Sequence, residues 1–80
     1  MEMLIEPHAL ARMQRRGVTH SQIQFVLYKY NMSFTTGMSS SQLRAKLPDG
    51  RILKVWVGGS IPLQEPVIIK TVAWLESVDE

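Results

Sequence analysis

Two different spacings of apolar residues divide the chain. Up to about Tyr30 they recur at intervals of three and four, the period of an amphipathic helix; from Gln42 onward they alternate with polar residues, the period of a half-buried strand. In the first region Pro7 suits an opening helical turn, and Ala9, Leu10, Met13 and Gly17 fall within one arc, predicted to face the core. His8, Arg12 and Arg15 lie opposite, with Arg16 at the margin, and Gly17 is placed to stop the helix in a left-handed conformation. Thr19 followed by Gln22 is a capping-box pattern, predicting a second helix through about Tyr30 on whose inner face sit Ile23, Val26, Leu27 and Tyr30. With only Val18 between them, the two helices form a hairpin.

Residues 31–41 are polar and read as a connecting loop with a short strand around Phe34 to Thr36. Two strands, LRAKL and RILKVWV, then flank Pro48, Asp49 and Gly50. If those three residues make the loop, Leu47 opposes Arg51, Ala45 opposes Leu53 and Leu43 opposes Val55, so apolar meets apolar; a two-residue Asp-Gly turn would mix the faces. After a second loop, GGSIPLQEP, the near-continuous apolar run Val67 to Leu75 predicts a strand inside the sheet, and Met3 to Ile5 a further strand at an edge. The pattern predicts an α+β fold, a two-helix hairpin packed on a twisted antiparallel sheet of three to four strands, with one sheet face left open.

Composition narrows the function classes. Eighty residues suffice for one domain, and 45% apolar with 20% charged residues suits a packed core rather than disorder. The absence of cysteine excludes disulfides and thiolate chemistry. With no signal-like start and no run of membrane-spanning length, a cytoplasmic location is the expectation, with no membrane partner. The net charge is only +2, but Glu2, Glu6, Glu65, Glu76, Asp79 and Glu80 lie toward the termini or a loop, and residues 8–54 hold Asp49 as their sole acid. That basic middle favours an anionic partner: RNA, DNA or an acidic protein.

The hairpin register makes the partner more specific. With Leu43, Ala45, Leu53, Val55 and Val57 turned toward the helices, the opposite face carries Gln42, Arg44, Lys46, Ile52, Lys54 and Trp56, and Arg44 lies directly across from Lys54. Like charges so placed cost up to about 1 kcal/mol, which an RNA phosphate would offset. Cations interleaved with an aromatic are what a single strand needs, for its backbone and for a stacked base. Lysines guarding a strand and a Trp covering apolar surface account equally well for these residues. Lys70 joins the patch in a register that also turns Ile68 and Val72 outward.

His8 and Arg12, at i and i+4, are the candidate catalytic pair: an imidazole near a helix N-terminus is biased toward the neutral form of a general base, beside a guanidinium that holds phosphate. A merely solvated helix face is the competing explanation. His20 lacks a basic partner at i+3 or i+4. Two histidines without a carboxylate pair make a poor metal site, no glycine-rich loop follows a strand to cradle a nucleotide, and serines 39–41 lack a His-Asp arrangement, so neither metal nor cofactor is expected.

These motifs together carry a resemblance. His8-Ala9 with Arg12-Met13, then Arg16-Gly17-Val18-Thr19 opening the second helix, the Pro-Asp-Gly-Arg hairpin and Val67-Ile68-Ile69-Lys70-Thr71 resemble a family of small bacterial domains of unknown function, over roughly residues 3–73. That family is related to the RelE/ParE-like toxins and to the wider barnase, colicin and RelE type of ribonuclease fold. The resemblance implies two helices on a twisted antiparallel sheet whose surface and rim are the active face, and marks His8, Arg12, Arg16 and Thr71 as family-like positions, Arg16 and Thr71 in structural roles. Messenger-RNA-cleaving members tend to carry a His or Tyr near the C-terminus; here the tail reads AWLESVDE.

Two functions follow as expectations. In one the chain is a toxin-like RNA-binding domain, an endoribonuclease of a toxin–antitoxin or toxin–immunity system. His8 and Arg12 are then catalytic, Arg15, Arg16, Arg44, Lys46, Lys54 and Lys70 bind phosphate, and Trp56 stacks a base. Free or ribosome-associated RNA fits this expectation, and an acidic antitoxin or immunity protein is the natural partner. In the other, the chain is a non-catalytic module binding an acidic protein. Phe25, on the far side of the second helix, suits such an interface or a homodimer.

Overall fold

Pro7 opens the first helix and Gly17 closes it, as their backbone preferences dictate. The computed structural model describes residues 1–37 and 39–75, in the order β1 (Met3–Ile5), α1 (Pro7–Arg16), α2 (His20–Lys29), β2 (Met32–Gly37), β3 (Ser40–Lys46), β4 (Ile52–Gly58) and β5 (Val67–Leu75). The tail acids Glu76, Asp79 and Glu80 lie outside the described residues. Gly17 is left-handed at φ 67°, and Val18 donates its amide to the Met13 carbonyl at 2.9 Å, a six-to-one closure that folds the buried Val18 back under the helix.

At Thr19 both halves of the capping box form: Gln22 N–H donates to Thr19 Oγ1 at 3.1 Å, and Thr19 N–H donates to Gln22 Oε1 at 2.9 Å. Thr19→Ala removes one of the two and is expected to destabilise the domain by about 1 kcal/mol in urea denaturation, with Thr19→Ser close to wild type.

The sheet order is β1-β5-β4-β3-β2. It has five strands rather than three to four, and it is mixed rather than antiparallel, because β1 runs parallel to β5 in the register Met3↔Val67 to Ile5↔Ile69. The chain starts at one edge, crosses through both helices to the opposite edge, and returns strand by strand until β5 slots in beside β1; β5 is thus an interior strand. The β3–β4 hairpin has the expected register, Leu43↔Val55, Arg44↔Lys54 and Ala45↔Leu53, around a loop with Gly50 at φ 94°. Arg51 steadies that loop through a 2.7 Å ion pair with Asp49, and this hydrogen bonding holds the exposed Asp49 carboxyl below its ordinary pKa.

Both helices lie on one sheet face, α1 over β5 and α2 over β3 and β4. They enclose one core of buried apolar residues, among them Ala9, Met13, Ile23, Val26, Leu27, Leu43, Leu53, Val55, Val57 and Ile69. Tyr30 and Phe25 pack half-buried against it, so Phe25 is not the exposed residue its place on the helix predicts. Leu10 departs further, at 43% exposed. Arg16 lies within about 20° of Ala9 around α1, on the side away from Leu10, and faces the sheet in its stead. No described helix is long and apolar enough to cross a membrane.

Candidate nucleic-acid interface

The uncovered sheet face is a grid set by the strand registers. One rung reads Met32, Arg44, Lys54 and Ala73; the next reads Phe34, Gln42, Trp56 and Thr71; Lys46, Ile52 and Leu75 form a third. Their parity partners Leu43, Ala45, Leu53, Val55 and Val57 are all buried under the helices, so these side chains are directed away from them. The strands β2, β3 and β4 contain no acid.

Cations and rings alternate across this grid. The Arg44 guanidinium sits 5.0 Å from the Phe34 ring centroid and donates through Nε to Gln42 Oε1 at 2.6 Å; the Lys54 ammonium lies 5.6 Å from the Trp56 ring centroid. Gln42 thus aims the guanidinium, which keeps Nη donors for a further acceptor. Arg44 and Lys54 occupy directly opposed positions, which concentrates two cations in the middle of the grid.

A recess of about 610 Å³ adjoins the grid beyond Trp56. Its lining includes Gly58, Ile68 and Lys70 from the strands, Glu6, and Ser60 and Gln64 from the loop of residues 59–66. Lys70 reaches it through a bulge: Trp56 pairs with Thr71 and Val57 with Ile69, so Lys70 is the extra residue. The bulge also corrects the parity of β5. Ile68 and Lys70 turn away from the core without taking Val72 with them, because burial passes from Val67 and Ile69 to Val72 and Trp74.

The helix-borne candidates are placed elsewhere. His8 and Arg12 are together, Arg12 Nε donating to His8 Nε2 at 3.4 Å, but on α1, in the layer that covers the other sheet face. A single site in which this pair works beside Arg44 and Lys54, as the expected endoribonuclease would combine them, is therefore not the arrangement found. A polar helix face looks wherever the apolar face leaves it, and Ala9 and Met13 are pinned on β5. Arg15 is exposed on the same helix. Arg16 is structural: its Nη1 donates to the Val72 carbonyl at 2.8 Å, while Trp74 Nε1 donates to the Arg16 carbonyl at 2.7 Å.

Of the predicted phosphate binders, the structure assembles Arg44, Lys46 and Lys54 beside Trp56, sets Lys70 at the adjoining recess, and separates Arg15 and Arg16. It adds Phe34 and Gln42. Phe34's place follows from parity only once its strand is known to pair with β3. Among the described residues no group of three or more His, Asp or Glu is positioned to hold a metal ion.

No family model, no curated protein and no solved structure matches the chain.

Proposed function

We propose that the chain is a toxin-like RNA-binding domain that holds single-stranded RNA on its open sheet face. The observation that carries this reading is the acid-free alternation of Phe34, Arg44, Lys54 and Trp56 across three strands, with Arg44 opposed to Lys54. Arg44, Lys46 and Lys54 neutralise phosphates, and Phe34 and Trp56 offer ring faces about two strand spacings apart on which bases stack whatever their identity. Duplex RNA offers no unstacked bases to those rings. An acidic antitoxin or immunity protein would compete for the same cations.

Endoribonuclease activity is the second reading, and the His8–Arg12 contact favours it by setting an imidazole and a guanidinium side by side on α1. Such a site would work on the helix layer and not on RNA lying across the strip.

Fluorescence anisotropy with a labelled single-stranded oligonucleotide tests both. Wild type is expected to bind it in preference to a duplex, with a log–log salt slope of about −2 from three neutralised phosphates. His8→Ala should bind as wild type does, whether or not a parallel gel assay detects cleavage. Salt-insensitive binding, or equal binding to duplex, would remove the support for the strip.

A further inference from the structure

β2 is an end strand of the sheet, and over most of its length it lacks the safeguards of natural edges. Edges that stay single are guarded by charges, by proline or by a covering element. Met32–Gly37 contains no charged residue and no proline, and all six residues are exposed, because the helices lie over β3, β4 and β5 and leave β2 bare. The neutrality extends beyond the strand: from Tyr30 to Leu43 the chain carries no charge at all. Two large apolar side chains, Met32 and Phe34, stand exposed on the open-face side, 47% and 41% accessible. The single irregularity is a register shift between Thr35 and Gly37, at the far end.

We infer that β2 pairs antiparallel with β2 of a second copy of this chain, joining two sheets of five strands into one across a twofold axis. The occupant follows from charge and symmetry. Within β2 itself an identical strand meets neither repulsion nor unmatched charge. A twofold axis perpendicular to the sheet makes such an edge complementary to itself, each strand's outward peptide groups meeting the other's. It also sets Met32 and Phe34 of the two copies beside one another, so that exposed apolar surface becomes cross-strand contact. The backbone positions of the two Arg44 residues are three strand spacings, about 14 Å, apart across the axis, and each guanidinium is engaged by its own Phe34 ring and Gln42. Both open faces then lie on the same side of the joined sheet. The inference does not depend on RNA binding.

The buried strip is small, so the association is expected to be weak and to show as concentration dependence rather than as a fixed dimer. Light scattering over a concentration series of about a hundredfold should show the wild-type mass rising from one chain toward two. Thr35→Lys, which charges the strand without touching the core, should remain monomeric with unchanged circular dichroism, and Thr35→Val should associate at least as well as wild type. Hydrogen exchange gives a readout free of any substitution: β2 amides should exchange more slowly as the wild-type concentration rises. A wild type that stays monomeric throughout, β2 protection that does not change with concentration, or a Thr35→Lys variant that dimerises as well as wild type would each overturn the inference.

Discussion

Lys54→Glu is expected to lower the affinity for single-stranded RNA by about tenfold or more. Lys54 lies directly across from Arg44 in the middle of the strip, beside the Trp56 ring. One phosphate contact disappears, a repulsive charge replaces it, and the salt slope should shrink by about 0.7. Loss of the ammonium beside the Trp56 ring is a smaller term. Fluorescence anisotropy reads the loss, and circular dichroism on the same preparation checks that the variant is folded. A positive patch that serves only solubility would leave RNA affinity unchanged.

The parts of this site that sequence reasoning reached are those written in local chemistry. Gly17, the Thr19–Gln22 box and the Pro48–Gly50 loop each act over a few residues, and from the loop length alone the Arg44–Lys54 opposition follows. What escaped depends on partners distant in the chain. β2 has no buried residue, so it shows no alternation of apolar and polar positions; the short strand read around Phe34 to Thr36 came without a partner, and without one Phe34 had no face to belong to. β1 is three residues long, and nothing local says that its neighbour is β5 or that the two run parallel. The inserted Lys70 reverses the parity of one strand halfway along, which a strict two-residue period misassigns on one side or the other. The direction of His8 and Arg12 was beyond reach for the same reason: a helical wheel identifies a polar face, and only the docking of Ala9 and Met13 decides which layer it overlooks.

The bulge also concentrates stability in one residue. By bringing Trp74 onto the core side at the end of β5, it lets the indole, 8% exposed, join α1 to the sheet by a reciprocal pair of bonds: Trp74 Nε1 donates to the Arg16 carbonyl, and Arg16 Nη1 donates to the Val72 carbonyl. The Arg51 guanidinium lies 4.0 Å from the ring centroid and ties the β3–β4 loop to the same point. Trp74→Ala therefore removes a large buried ring, leaves a carbonyl at the helix C-terminus without its donor, and frees Arg51, with an expected loss of about 3–5 kcal/mol. For a chain of this length total stability is about 4–12 kcal/mol, and a loss of that size should lower the melting temperature by roughly 12–40 °C. Trp74→Phe keeps most of the packing and loses the donor, and should cost only about 1–2 kcal/mol. Because Trp74 faces the helices and Trp56 faces away from them, the folded Trp74→Phe protein should bind RNA as wild type does. A loss below about 1 kcal/mol for Trp74→Ala would mean that α1 is held by Ala9 and Met13 alone, and that the bulge serves only to place Lys70.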